Sequence, residues 1–99
     1  MNLPVKLHEA AELEAAEAIA WYQTEAELGT ALRVEIEKAI ERIRTIPLAF
    51  PIVHGSSVRC ALTHRFPFAL IFMIEDGQIF IIAIFHTSRD PFIWKGRVG

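Results

Sequence analysis

The stretch that most constrains this chain runs from Phe66 to Thr87, where two alternating apolar segments flank Asp76-Gly77. Asp-Gly accepts positive φ at both central positions of a tight turn, so a β-hairpin is predicted, with strands Phe66 to Glu75 and Gln78 to Thr87. A two-residue turn pairs Glu75 with Gln78 and sets a register in which facing residue numbers sum to 153. One face then carries Phe66, Phe68, Leu70, Phe72 and Ile74 beside Ile79, Ile81, Ala83 and Phe85. The other carries Pro67, Ala69, Ile71, Met73 and Glu75 beside Gln78, Phe80, Ile82, Ile84 and His86, and is apolar along its middle. Both faces need a cover.

The cover of the bulkier face is legible upstream. From Glu9 to Glu27, Ala11, Ala15, Ala18, Ile19, Tyr22 and Ala26 recur at helical steps, and early glutamates suit the helix dipole, although His8 is a poor N-cap by residue type. Gly29 is placed to stop that helix, and Leu28, Leu32, Ile36, Ala39, Ile43 and Ile46 trace a second stripe ending at Pro47. So short a joint makes the two helices antiparallel neighbours. The outer side of the second, with Arg33, Glu37, Lys38, Glu41, Arg42 and Arg44, reads as a solvated mixed-charge face. Leu3 to His8 reads as a short extended segment, Pro47 to Ser57 as a loop and Val58 to Thr63 as a further strand. The fold class is α+β, in the order β-α-α-β-β-β, with the helical hairpin packed on a small antiparallel sheet.

A helical hairpin covers only one face of such a sheet. The face bearing Ile71, Met73, Phe80, Ile82 and Ile84 is therefore expected to take a protein partner, with a folded-back C-terminal segment or a homodimer as the alternatives. On the partner reading, Ile71→Asp or Ile82→Asp weakens binding more than folding, whereas Phe72→Asp unfolds the domain.

Composition narrows the class. Ninety-nine residues, 53% of them hydrophobic, make one domain, residues 1–99, rather than a disordered or low-complexity chain. The single cysteine, Cys60, excludes an internal disulfide framework, and a reducing cytoplasm is the expected setting. The longest apolar run, Ile79 to Phe85, falls far short of the roughly 18 residues that a membrane span needs, so no membrane association is expected. Histidines and carboxylates show no metal spacing and no glycine-rich phosphate loop occurs, so neither metal nor cofactor is expected. Residues 1–49 hold five Lys/Arg against nine Glu, and residues 50–99 hold five against three acids, so the chain is acidic first and basic later.

In this arrangement, Ala20-Trp21-Tyr22 late in the first helix, Glu35 to Ile46 followed by Pro47 and Phe50-Pro51, Arg59 and Leu62, Phe66-Pro67-Phe68 with Ile71, and His86-Thr87-Ser88-Arg89-Asp90-Pro91 with Trp94 and Arg97 are recognisable. Over nearly its whole length the chain resembles the RelE/ParE superfamily of type II toxin–antitoxin toxins, especially the ParE-like plasmid stabilisation proteins. The resemblance implies a toxin neutralised by a cognate antitoxin, in a hetero-oligomer or a homodimer. ParE-like members inhibit DNA gyrase without chemistry of their own; RelE-like members cleave mRNA on the ribosome. A third alternative is a degenerate, non-toxic binding module.

Cleavage by 2′-hydroxyl attack needs a proton acceptor, a proton donor and cations around one phosphate. Arg59, His86 and Arg89 are the catalytic candidates on that reading, with Lys95 and Arg97 as further charges. The C-terminal tyrosine of many RelE-like nucleases is missing, and the only tyrosine, Tyr22, sits on the apolar stripe. Without a strongly basic balance for ribosomal RNA, the ParE-like reading is favoured. Arg59, Arg89 and Trp94 join the apolar face as expected partner-binding residues. Their structural alternatives are a local Arg89–Asp90 pair, packing for Trp94 as for Trp21, and for His86 a hydrogen bond that orders the turn. Relatives often carry a second basic residue after the arginine, where this chain has Cys60.

Overall fold

The computed structural model describes residues 2–98. Its elements are β1 (Val5–Leu7), α1 (Glu9–Ala26), α2 (Gly29–Thr45), β2 (Ile52–His54), β3 (Val58–Leu62), β4 (Phe68–Glu75) and β5 (Gln78–His86), with single 3₁₀ turns at Pro47–Ala49 and Lys95–Arg97. The strands form one sheet in the order β1-β5-β4-β3-β2; β1 runs parallel to β5 and the other pairs are antiparallel. The predicted α+β arrangement is the one observed, except that the sheet is mixed rather than antiparallel, since β1 joins it parallel to β5. β2 lies within the stretch expected to be a loop; three residues are too few to show a period of two, and its pairing with β3 is irregular.

Local chemistry departs from expectation at both ends of α1. His8 does cap it: Nδ1 accepts the Ala10 N–H at 3.0 Å. At the other end Glu27, not Gly29, takes the left-handed conformation (φ 56°), while the Leu28 N–H donates to the Tyr22 carbonyl. Gly29 instead opens α2 where the helices touch. A Cβ there would stand 2.8 Å from Gln23 Cβ and 2.9 Å from the Ile19 carbonyl oxygen, so glycine is required by close approach.

The hairpin register holds from Glu75–Gln78 to Phe72–Ile81, then slips: Ile71 faces Ala83 and Phe68 faces His86. Ile82 is the extra residue of a β-bulge, which bends β5 and reverses the faces of everything beyond it. Ile84, expected on the open face, is buried on the helix side with Phe68, Leu70, Phe72, Ile79 and Ile81. His86 moves to that side too, its ring against Phe68. Ala83 and Phe85, expected under the helices, join Ala69, Ile71 and Ile82 on the second face.

That second face is covered by the chain itself. After β5, residues 87–98 fold back over it; Trp94, 3% exposed, packs with Val58, Ala69, Ile71, Ile82, Ala83 and Phe85, and Val98 adds to the edge. Ile71 and Ile82 are buried within one chain, so the reason for expecting a partner there is removed. Met73 and Phe80 remain only partly covered.

Candidate functional site

A cleft of about 460 Å³ opens where α1 crosses the C-terminal end of β5. Positions 14, 17, 18, 21 and 22 recur at helical spacing, so Glu14, Glu17, Ala18, Trp21 and Tyr22 form one wall. Phe68, Ile84, Phe85 and His86 form the other, with Arg89 at the rim. Before the bulge is counted, His86 belongs to the opposite face; the reversed register brings it here.

The polar groups of the cleft divide into engaged and free. Glu14 is engaged: Arg97 Nη1 and Nη2 donate to Oε1 and Oε2 at 2.9 and 3.1 Å, and the Ile84 N–H donates to Oε1 at 3.1 Å. His86 is engaged through one nitrogen. The Ser88 N–H donates to Nδ1 at 3.0 Å and Ser88 Oγ stands 2.7 Å away, so in the neutral ring Nε2 carries the proton and faces outward as a donor. This is the turn-ordering contact considered for His86, made to Ser88 rather than Asp90. Glu17 and Arg89 have no side-chain partner among the described residues. The Arg89–Asp90 pair does not form, because Asp90 Oδ1 accepts the Phe92 N–H at 2.9 Å in a local turn.

Trp21 corrects the sequence reading most clearly. Expected in the core, it is 59% exposed, its ring edge-on to Tyr22 at 5.1 Å. The row 14, 17, 21 flanks the core-facing row 11, 15, 18, 22, of which Ala11 is buried and the others partly so, and a large apolar residue there marks the rim. Tyr22 is packed as predicted, edge-on to Phe66 and Phe68.

The candidate catalytic set is not brought together. His86 and Arg89 share the cleft, whereas Arg59 lies beside Phe72, four residues (about 13 Å) along β4 and two strands (about 10 Å) from His86. Arg59 Nη1 donates to the Phe50 carbonyl at 2.6 Å and to that of Leu48 at 3.4 Å, tying down the loop after α2. Cys60, beside it, points to the second face; burial pushes its thiol up, away from nucleophilic use. Among the described residues no group of three His, Cys, Asp or Glu side chains could hold a metal, and no helix is long and apolar enough to cross a membrane.

An exposed aromatic, a free carboxylate, a free guanidinium and an imidazole donor around an apolar floor suit recognition of a polypeptide segment. Nothing in the sequence alone signalled Glu14, whose role depends on a contact 83 residues away.

No protein-family model matches the chain, and no curated protein matches it. Among solved structures it is similar to a chain of the chromosomal ParDE TA system from P. aeruginosa, at 16% identity and a TM-score of 0.74, over 86% of this chain and 96% of that one. The fold implied by the sequence motifs is thus shared with a chain of that system.

Proposed function

We propose that this chain is the toxin of a type II toxin–antitoxin pair, of the ParE-like kind that inhibits DNA gyrase, acts in the cytoplasm and is neutralised by a cognate antitoxin. The observation that carries the reading is the shared fold with a ParDE chain along almost all of that chain. The cleft supports it in a second way. Its free groups, Trp21, Glu17, Arg89 and His86 Nε2, are those of a protein-binding surface, and Trp21 and Arg89 are of the residue types that most often dominate binding energy. We place Arg89 and Trp21 at the contact with antitoxin or target.

The nuclease alternative is disfavoured by geometry and charge. Arg59 is remote from His86 and Arg89, and the cleft that holds His86 offers a phosphodiester no net positive charge, because Glu14 is paired with Arg97 and Glu17 offsets Arg89. The overall charge of −2 adds no attraction to ribosomal RNA.

The deciding experiment is inducible expression without antitoxin, with gyrase supercoiling and ribosomal transcript cleavage assayed in parallel. Growth arrest with loss of supercoiling and intact transcripts is expected. Cut transcripts with normal supercoiling would overturn the gyrase reading and turn attention to His86 and Arg89. Normal growth with soluble, folded protein would remove both toxin readings and leave a binding module.

A further inference from the structure

The cleft between α1 and the end of β5 sorts its unpaired groups by wall. The helix wall presents Glu17 and Trp21, a carboxylate and an aromatic ring, which at i and i+4 are neighbours on one side of α1. The sheet wall presents donors. The Ser88 N–H holds His86 Nδ1 as an acceptor and leaves Nε2–H free, and the Arg89 N–H donates to the His86 carbonyl at 2.9 Å, closing a turn that keeps the two residues together at the cleft. Glu14 adds nothing to either set. It is spent on the Ile84 N–H and on Arg97, which also donates to the Ile82 carbonyl at 2.9 Å.

Between the walls lies an apolar floor of Tyr22, Phe68 and Ile84, and Ala18, the smallest side chain of the lining, leaves room above it. Among the described residues no ion pair joins Glu17 to Arg89, so the two opposite charges stay apart at the mouth. A ligand that carries both charges serves the two walls at once. Each group is hydrated when free, so each contact is weak by itself and affinity depends on making them together over a buried apolar body.

We propose that this cleft binds a free α-amino acid with a large apolar side chain. The carboxylate goes to the Arg89 guanidinium and His86 Nε2–H, two donors without an acceptor in the fold. The ammonium goes to Glu17 beside Trp21, since a carboxylate and an aromatic ring are the groups that attract it. The side chain lies on the floor, and a cleft of about 460 Å³ is within the range of small-molecule sites. Either end of a polypeptide carries only one of the two charges and leaves the opposite wall facing an amide, so the site selects the free amino acid. A ligand held in this way covers Trp21 and Arg89, so it and a protein partner exclude each other at the cleft. That consequence rests on the toxin reading; the binding itself does not.

The test is a titration of the isotope-labelled full chain followed by amide and indole NMR shifts, with L-phenylalanine, N-acetyl-L-phenylalanine, L-phenylalaninamide and glycine as probes. L-Phenylalanine is expected to give saturable shifts at the Trp21 indole N–H and at residues 84–89, with a dissociation constant on the order of millimolar. Each blocked compound is expected to bind about fivefold more weakly, and glycine to give no saturable shift. Glu17→Gln is expected to bring L-phenylalanine down to the affinity of the N-acetyl compound, and Arg89→Gln to bring it down to that of the amide. Both side chains are exposed and unpartnered, and the spectra themselves report that each variant is folded. N-Acetyl-L-phenylalanine binding as tightly as the free amino acid would assign the cleft to a chain end and overturn the proposal. So would equal binding of glycine, indifference to either substitution, or no saturable shift with any probe. Absence of toxicity in cells would remove the toxin reading and leave the titration standing.

Discussion

The two faces of the β4–β5 hairpin are both apolar and both closed, but by covers of different kinds. On one side lie helices of 18 and 17 residues, which contribute Ala11, Leu32, Ile36, Ala39 and Ile43 at helical spacing. On the other lies a short tail that contributes one fully buried side chain, Trp94, with Val98 beside it, and is fastened by Arg97. The first cover is redundant, since each contact is one among many in a periodic stripe. The second depends on a few points. The face that a helical pattern closes belongs to the permanent core, whereas the face that a few contacts close is the one whose cover a single substitution can loosen.

The largest expected effect tests whether both faces are closed. Phe72→Asp beneath the helices and Ile71→Asp beneath the tail each bury an unpaired carboxylate, at a cost of about 4 kcal/mol or more. That is comparable with the whole stability of about 5–15 kcal/mol for a domain of this size. Both variants are expected to be largely unfolded by circular dichroism and urea titration. A folded Ile71→Asp protein beside an unfolded Phe72→Asp would break the comparison, because it would mean that the tail opens without cost.

How far this difference is legible in the sequence follows from its range. The two helices, the Asp76-Gly77 turn and the order of elements apart from β2 rest on neighbours in the chain and appear in the structure, although Ala26 and Ile46, at the ends of the two stripes, are exposed. The bulge at Ile82 has no such signal, because alternation reads the same on either side of an inserted apolar residue, and one extra residue moved Ala83, Ile84, Phe85 and His86 to opposite faces. The cleft was legible only in part: His86 and Arg89 stood out as residue types, while Glu14 and Glu17 looked like an ordinary helix surface and Trp21 like core. Their roles come from the packing of α1 against β5 and the tail, which no local pattern encodes. The tail's cover was visible only as an alternative, since Trp94 among Pro91, Phe92, Gly96 and Arg97 has no period.

Single-site changes in the two covers sharpen the contrast. Trp94→Ala removes the only fully buried side chain of the tail and is expected to cost about 3 kcal/mol, with amide exchange accelerated in β3 and at the second-face positions. Gly29→Ala forces a methyl against Gln23 and the Ile19 carbonyl and is expected to cost about 2 kcal/mol, with α1 and α2 still formed by circular dichroism. If the Gly29→Ala loss exceeded that of Trp94→Ala, the helical cover would be the less forgiving of the two, and the ranking argued from redundancy would fail.

The smallest effect is read at Cys60, which sits half-buried on the tail side. Burial pushes its thiol up, so the folded chain keeps a proton that the unfolded chain loses near the ordinary thiol range. Because the folded state then binds more protons, stability is full below the unfolded thiol's pKa and declines as pH rises from it toward the folded value. The rate of iodoacetamide alkylation against pH measures this directly, with the folded profile displaced to higher pH than the profile in urea. The same thiol reports on the cover, since a tail loosened by Arg97→Gln rehydrates Cys60 and moves its profile back toward that of the unfolded chain. A profile unmoved by Arg97→Gln would mean that neighbouring strands alone desolvate the thiol, and that Arg97 fastens the edge of β5 without holding the tail over β3.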